Sequence, residues 1–253
     1  MAQLTGNTNL QKATFRFHGR LEALLSRTGS GANVPFPLNG RIAVKHPIEA
    51  LGIPHTEVEA ILADGRPVDF SYIVRAGDDL NVYPAHSGAV SSLRLRPPLA
   101  HPPRFVADNH LGRLVTYLRL LGFDTLHPKH LDDAQLAELS MLERRVLLTR
   151  DRRLLMRKIV VYGFCLQTRE PRQQLLDVLD RFDLRVTIAP WHRCLRCNGQ
   201  LSPVAKEDVL ERLEPKTKKY YHEFHMCQEC QQIYWKGSHY RPLLNFVSMV
   251  LDR

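Results

Sequence analysis

Aspartates stand at the ends of two short apolar runs, and their positions indicate metal chemistry. The runs are Arg104–Asp108 and Val146–Asp151, and each is followed by a helical pattern. In an alternating strand–helix fold, both runs become parallel strands whose carboxyl ends meet at the edge where such sheets bind ligands. The pair Asp132-Asp133 lies between them, at the predicted start of another helix. Converging carboxylates repel one another unless a cation lies among them, so the sequence predicts a Mg²⁺ or Mn²⁺ site.

The same aspartates also suit a structural role. Asp108, Asp132 and Asp151 each precede a predicted helix, and aspartate is a favoured N-cap residue. Capping is the commoner role for any one of them, whereas three at one sheet edge of a basic protein favour a metal site. Asp124 and Asp180 are candidates for a further ligand, although a structural role for Asp124 and a solvated position for Asp180 fit the pattern better.

Four of the five cysteines form two Cys-x-x-Cys pairs. The pairs are Cys194/Cys197 and Cys227/Cys230. Four thiolates complete a tetrahedral zinc ion and leave no open position for chemistry, so we predict a structural zinc ribbon. The fifth, Cys165, lies in an apolar run and is predicted to be a buried, inert thiol. Three histidines could substitute as ligands, but none is needed: His192, His225 and His239.

The charge of the chain indicates an acidic partner. Its 253 residues carry a formal net charge of +9 with a pI near 9.5, whereas a hydrophobic content of 44% and a charged content of 24% are ordinary for a soluble globular protein. Either the chain binds nucleic acid, the commonest acidic partner, or its surface is basic without one. The polar N-terminus does not resemble a signal peptide, and no apolar run reaches the roughly 20 residues of a membrane span. We therefore expect no membrane association and a cytoplasmic location.

Residues 1–85 are predicted to form a β-grasp, ubiquitin-like domain. One helix, His46–Leu51, is ended by Gly52 and set among several short strands. Asp64-Gly65 is a strong hairpin signal between two of these strands. The predicted strands are Ala13–His18, Val58–Leu62, Pro67–Phe70 and Leu80–Tyr83. Residues 86–102 are rich in serine and proline, which predicts a linker.

Residues 103–190 alternate strands with helices, which predicts a parallel sheet with flanking helices. The predicted strands are 104–107, Asp124–Leu126, Val146–Thr149 and Ile159–Leu166, with Leu184–Ile188 as a candidate fifth. The predicted helices are Leu111–Leu121, Asp132–Leu142, Arg152–Lys158 and 171–182. Residues 191–253 then form the zinc ribbon and a C-terminal tail. Within the ribbon, the charged insert Lys206–Tyr221 is interpreted as a mobile basic arm.

Several of these motifs occur together along residues 103–240, and their combination resembles a known family. They are Asp108 after a strand, the helix ending in Leu-Gly-Phe-Asp124, Asp132-Asp133, Leu147–Asp151 and the ribbon with Ile233–His239. The set is similar to the Mut-seven carboxyl-terminal ribonuclease domain family, a PIN-like nuclease fold fused to a zinc ribbon. Asn109-His110 after the first aspartate is a departure that leaves the carboxylates untouched.

The first 80 residues resemble the ubiquitin-like module that often precedes this domain in bacterial members. They are also weakly similar to the small ubiquitin-like sulfur carriers of cofactor biosynthesis. Those carriers end in a free Gly-Gly carboxylate, whereas here Tyr83-Pro84-Ala85 runs into more chain. A binding module is therefore favoured over a carrier.

The family resemblance implies a metal-dependent ribonuclease, with endo- or exonucleolytic mode left open, and an acidic cluster at the carboxyl edge of a parallel sheet. Carried over by position, the cluster is Asp108, Asp133 and Asp151, with Asp132 or Asp124 as a fourth member. A structural zinc and a catalytic Mg²⁺ or Mn²⁺ are the implied metals. The implied substrate is single-stranded RNA in a basic, aromatic-lined groove. Candidate RNA-binding residues are Arg150, Arg152, Lys216, Lys218, Lys219, Trp235 and Lys236.

Two other functions fit the same sequence. One is a non-catalytic RNA- or ribosome-binding protein that uses the ribbon and the β-grasp module. The other is an adaptor that binds a protein partner through the β-grasp domain. The acidic residues are all present, which favours the enzyme.

Overall fold

A computed structural model describes residues 11–25, 33–85, 93–238 and 240–252. The chain divides into an N-terminal unit, Met1–Pro98 with Arg150–Cys165, and a C-terminal unit, Leu99–Thr149 with Leu166–Arg253. The N-terminal unit therefore includes a segment that the sequence assigned to the nuclease region. Residues 86–92 of the predicted linker and the alternative ligand His239 lie outside the described residues.

A five-stranded sheet with one helix gives the N-terminal unit its β-grasp fold. Its elements are β1 (Lys12–Phe17), β2 (Asn33–Pro37), α1 (Lys45–Ala50), β3 (Val58–Ala63), β4 (Arg66–Pro67) and β5 (Asp79–Pro84). The strand order is β2-β1-β5-β3-β4, in which β1 and β5 run parallel and the other neighbours antiparallel. This arrangement confirms the predicted β-grasp domain.

The local sequence predicts the turns of this unit, but it does not predict one of the strands. Gly52 ends α1 with a φ of 97°, as its predicted C-cap role requires. Asp64 and Gly65 both have positive φ, the conformation that a tight hairpin needs. Strand β2 was not predicted because it contains Pro35 and Pro37, which lack a backbone N–H. It lies at the sheet edge, where proline is tolerated.

Parallel strands with flanking helices form the first part of the C-terminal unit, as predicted. These elements are β6 (Phe105–Ala107), α2 (Gly112–Leu120), β7 (Thr125–Leu126), α3 (Asp133–Leu142) and β8 (Val146–Thr149). The strands lie in the order β7-β6-β8 and all pairings are parallel. Every residue of β6 and β8 is buried, which is typical of strands covered on both faces.

The next elements are shorter than their predicted counterparts. In the N-terminal unit, α4 (Arg152–Leu155) and β9 (Gly163–Cys165) cover only part of the predicted helix and strand. In the C-terminal unit, α5 (Pro171–Arg181) begins with proline in its first turn, as predicted. The predicted strand Leu184–Ile188 is wrong. The N–H of Thr187 donates to the carbonyl of Leu184, so this backbone bonds locally in a 3-10 turn.

A three-stranded antiparallel sheet forms the ribbon, and the charged insert packs on it. The elements are β10 (Leu201–Val204), α6 (Lys206–Val209), α7 (Pro215–Tyr220), β11 (Phe224–Cys227), β12 (Ile233–Trp235) and the final helix α8 (Tyr240–Leu251). The interpretation of the insert as a mobile arm is wrong, because Val209 and Leu213 are buried with Phe224 and Ile233 in one cluster.

No helix in the described part of the chain has the length and apolar character to cross a bilayer.

Asp124 joins the parallel sheet to the first cysteine pair. Its Oδ1 accepts from Arg145 Nη1 at 2.6 Å and from Asn198 Nδ2 at 2.9 Å. The amide oxygen of Asn198 in turn accepts from the backbone N–H of Thr125 at 2.9 Å, at the start of β7. Burial disfavours the charge on Asp124, but the hydrogen bonds from Arg145 and Asn198, with the charges of Arg145 and Arg193, outweigh it and lower the pKa of this carboxyl. The carboxylate is therefore structural, as its position in the sequence suggested.

Arg119 of α2 supports the same junction. Its Nε donates to the carbonyl of Thr125 at 2.9 Å. Its Nη1 donates to the carbonyls of Leu195 and Arg196 at 3.0 and 2.9 Å. The backbone between the first two cysteines is thus held by a side chain of the nuclease region.

We expect Asp124→Asn to lower the free energy of unfolding at pH 7 by about 3 kcal/mol, because it breaks an ion pair with a buried arginine. A lowered pKa in the folded state contributes stability above the ordinary value of 3.8, and this contribution is lost as pH falls through the lowered value. The difference between wild type and variant should therefore shrink between pH 5 and pH 3, as measured by urea unfolding.

The matched control for this variant is Asp180→Asn. Asp180 is 64% exposed and pairs with Arg185 on the surface, so its loss should cost less than about 1 kcal/mol. Equal losses in the two variants would contradict the structural role of Asp124.

Candidate active site and metal centre

Asp108 lies at the carboxyl edge of the parallel sheet, immediately after β6. Its backbone N–H donates to the carbonyl of Leu148 at 2.9 Å. Its carboxylate accepts from the Thr149 hydroxyl at 2.8 Å through Oδ2, and from the backbone N–H of Asn109 through Oδ1. The last two residues of β8 thus hold a half-buried carboxylate at the edge where parallel sheets bind ligands.

The segment that leads into α3 reaches the same edge. His127 Nε2 donates to the carbonyl of Asn109 at 3.1 Å, and Asn109 Nδ2 donates to the carbonyl of Lys129 at 3.1 Å. Burial lowers the pKa of His127, and the hydrogen bond to Asn109 only partly opposes this. The imidazole is therefore neutral at pH 7, with its proton on Nε2 to suit the carbonyl.

All four predicted site aspartates stand at helix starts. Asp108 caps the turn that follows it, Asp132 caps α3 with a capping box to Gln135, and Asp151 accepts from the N–H of Arg153 at the start of α4. Asp133 is the exposed first residue of α3. Among the residues that the structure describes, the aspartates form no group of three with oxygens within 4.8 Å of one another. Their joint binding of Mg²⁺ or Mn²⁺ stays a prediction.

The four predicted cysteine ligands do come together. The Sγ atoms of Cys194, Cys197, Cys227 and Cys230 all lie within 4.8 Å of one another. The Sγ separations are 3.6 Å for Cys194–Cys230 and 3.4 Å for Cys197–Cys227. Zinc–sulfur bonds of about 2.3 Å in a tetrahedron require roughly 3.8 Å between sulfurs, so the four residues fit a zinc ion.

Hydrogen bonds to sulfur prepare this cluster for a metal. The N–H of Gly199 points to Cys197 Sγ at 3.4 Å, and the N–H of Cys230 to Cys227 Sγ at 3.5 Å. The Tyr234 hydroxyl lies 3.1 Å from Cys194 Sγ. Burial opposes ionisation of Cys194, but the bonds from Tyr234 and from backbone amides outweigh it and lower its pKa to about 7. Burial and the neighbouring thiols raise the pKa values of Cys197 and Cys230, so the metal-free cluster favours a single thiolate and metal binding would release the other protons.

A cavity of about 550 Å³ lies between the ribbon and α8. Four aromatic and two cationic side chains belong to its lining: Trp191, Tyr234, Trp235, Tyr240, Arg193 and Lys236. Tyr234 is fixed through its hydroxyl at the cysteine cluster. Lys236 is exposed at the rim and pairs with Glu223 at 2.6 Å. Two of the predicted RNA-binding residues, Trp235 and Lys236, therefore meet at one cavity.

The other predicted RNA-binding residues are distributed over both units. Lys216 and Lys219 are exposed on α7, and Lys218 is partly exposed. Arg150 is exposed in the N-terminal unit. Arg152, also in that unit, donates through Nη1 to the carbonyl of Leu24 at 2.6 Å.

Sequence reasoning missed four residues that shape these sites. They are Thr149 and His127 at the sheet edge, and Asn198 and Tyr234 at the cysteine cluster. Asn198 directly follows the first cysteine pair and has a φ of 80°. The hydrogen bonds from the Asn198 side chain to Asp124 and Thr125 could not be predicted from the sequence around Asn198, because these partners are distant in the chain.

Comparison with protein families gives a match over more than half of the chain. Residues 103–247 match the family model described as the Mut7-C RNAse domain. The chain belongs to this family. Residues 10–89 match the Mut7-C ubiquitin model, which suggests protein interaction by the β-grasp module. Comparisons with curated proteins and with solved structures gave no match. The two matches therefore show the family and the two-module architecture, and they suggest a nuclease.

For the ribbon of this Mut7-C protein we expect one zinc ion per chain, bound by the four cysteines. Cys197→Ala should remove most of the zinc, because three thiolates no longer complete the tetrahedron. Amide exchange should then rise over residues 191–240 but not at the Asp108 edge. Elemental analysis of protein purified without chelator measures the zinc content.

Cys165→Ala is the matched control for the zinc experiment. Cys165 is a buried thiol outside the cluster, and burial, with the nearby charge of Glu57, raises its pKa to about 11. This variant should keep its full zinc content. A wild-type protein without zinc would contradict the assignment.

Proposed function

We propose that this protein is a metal-dependent, PIN-like ribonuclease that hydrolyses RNA phosphodiester bonds. Mg²⁺ or Mn²⁺ would be held by Asp108, Asp133 and Asp151, with Asp132 beside them. The match of residues 103–247 to the Mut7-C RNAse domain carries this proposal. The cysteine chemistry supports a reducing location such as the cytoplasm, because four free thiols gather as a metal site.

The Asp108 carboxylate suits a hard divalent cation. Each of its oxygens accepts one hydrogen bond, from Thr149 or from Asn109. An ionised carboxylate offers about four lone-pair sites, so both oxygens keep acceptor capacity for a metal. The Thr149 hydroxyl fixes the side-chain rotamer. Capping and metal binding are therefore compatible roles for this residue.

The division of labour at the proposed site follows from the residue types. A bound divalent metal would polarise the phosphoryl group and activate a water molecule. The carboxylates of Asp108, Asp133 and Asp151 would hold this metal, while Asp132 keeps the start of α3 in place through its capping box. Neutral His127 fixes the loop at Asn109 and adds no charge to the cluster.

The cavity beside the ribbon supports binding of single-stranded RNA. Exposed aromatic faces stack on unpaired bases of any sequence. Trp235 is 39% exposed at this cavity, and Lys236 at the rim can meet a phosphate. The lysines of α7, with the net charge of +9, extend the basic surface of the unit. Arg150 is proposed to contribute a further phosphate contact.

We expect Asp108→Asn to abolish Mg²⁺- or Mn²⁺-dependent cleavage of mixed cellular RNA. Loss of a residue that merely supports a ligand costs about 10–100-fold, so loss of a ligand charge should cost more than 100-fold. Asparagine keeps an oxygen for the capping bond, so the fold should be unchanged by circular dichroism. Asp180→Asn is the control with full activity. Full cleavage by Asp108→Asn would contradict the catalytic role and favour a non-catalytic RNA-binding protein.

Neutralising the α7 lysines should flatten the salt dependence of RNA binding. Each phosphate contact on a single strand contributes about 0.7 to the slope of log affinity against log salt, so changing Lys216, Lys218 and Lys219 to Gln should reduce the slope by up to about 2. Fluorescence anisotropy with a labelled oligonucleotide measures this.

A matched triple variant separates contact from overall charge. Changing Lys12, Lys45 and Lys158 to Gln removes the same number of charges in the N-terminal unit. This variant should keep the wild-type slope. Identical slopes in both triple variants would place the α7 lysines away from the RNA.

A further inference from the structure

The β-grasp module holds the end of the segment Arg150–Cys165 through a buried ion pair. Glu57 has no exposed side-chain surface, and its carboxylate accepts from the backbone N–H of Cys165. Arg20 pairs with Glu57 at 3.3 Å and donates to the carbonyl of Cys165 at 3.0 Å. The Arg20 guanidinium also lies over the ring of Phe164, 4.1 Å from its centroid. The Arg20–Glu57 ion pair thus forms hydrogen bonds with both the backbone N–H and the carbonyl of Cys165.

The middle and the start of the segment are held in the same way. His55 donates through Nε2 to the carbonyl of Val160 at 2.9 Å, and its Nδ1 lies 2.7 Å from Glu49. At the start, Arg152 Nη1 donates to the carbonyl of Leu24 at 2.6 Å. Three positions along 16 residues therefore depend on hydrogen bonds with the β-grasp module.

These contacts specify a position more than they add stability. A buried ion pair contributes little net stability compared with apolar residues of similar volume, whereas it enforces one arrangement because each charge needs its partner. Helix α4 has only four residues, which is too short to be stable without tertiary contacts. Asp151 is the N-cap of this helix, so its place is set by whatever holds α4.

We propose that the β-grasp module is a positioning element of the nuclease site. It holds residues 150–165 through Arg20, Glu57 and His55, and the bond from Arg152 to Leu24 sets the start of α4 and hence Asp151. This inference rests on the proposed metal-binding role of Asp151. Arg152 is accordingly a positioning residue, and the ubiquitin-like module serves the activity in cis.

The test compares Arg152→Gln with Arg153→Gln in the full zinc-loaded chain. Both changes remove one positive charge beside Asp151, but only Arg152 bonds to Leu24. Mn²⁺ binding is followed by electron paramagnetic resonance without RNA, so a lost phosphate contact cannot alter the result. Arg152→Gln should weaken Mn²⁺ binding about 10-fold, as loss of a residue that supports a ligand does, and Arg153→Gln by less than about twofold.

A conservative variant separates positioning from general damage. Arg152→Lys keeps a cationic donor for the Leu24 carbonyl and should recover most of the Mn²⁺ affinity, while all three variants unfold at the wild-type temperature. Equal affinities for wild type and Arg152→Gln would overturn the proposal, and so would a wild type that binds no Mn²⁺. A third outcome separates the two proposals. If the wild type binds Mn²⁺ but cleaves no RNA, and Arg152→Gln weakens the Mn²⁺ binding, the positioning role is supported and the ribonuclease activity is refuted.

Discussion

The carboxylate of Asp124 is the point on which the C-terminal unit depends. It is shared between the buried Arg145 and Asn198, which directly follows the first cysteine pair. A buried arginine needs an anion, and an asparagine in a strained turn needs fixed partners. One group meets both needs. The ribbon is therefore part of the same unit as the nuclease sheet, and the position of the first cysteine pair is tied to the start of the two-residue strand β7.

The cysteine cluster and the aspartates at the sheet edge differ in what their side chains leave open. Four thiolates would complete the coordination of a zinc ion, and the Tyr234 hydroxyl joins this cluster to the wall of the aromatic cavity. The carboxylates at the sheet edge are open instead. Asp108 and Asp132 accept capping bonds and still keep lone pairs for a cation. Capping of a helix start is thus compatible with the metal binding that we propose for these aspartates.

The ubiquitin-like module makes buried polar contacts with a segment that follows β8 in the sequence. Its unit includes Arg150–Cys165, and the bonds from Arg20, His55 and Glu57 reach the backbone of that segment. A module with this many buried polar contacts to the segment is costly to detach from it. The proposed positioning of Asp151 would add a role inside the protein to the protein interaction that a ubiquitin-like domain suggests.

The sequence by itself determined the elements that local patterns control. Val146–Thr149 reads as a buried strand, Asp64-Gly65 forms the hairpin turn, and the cysteine spacing defines the metal cluster, because each signal lies within a few residues. Tertiary structure alone decided where distant partners meet. The edge strand β2 was not predicted because it contains prolines. Leu184–Ile188 has the apolar alternation of a strand, but its backbone forms local hydrogen bonds instead. The charged insert packs on the ribbon because Val209 and Leu213 are buried in the ribbon core. The roles of Asp124 and Arg152 likewise depend on Asn198 and Leu24, and no local pattern records a hydrogen bond to a residue so far along the chain.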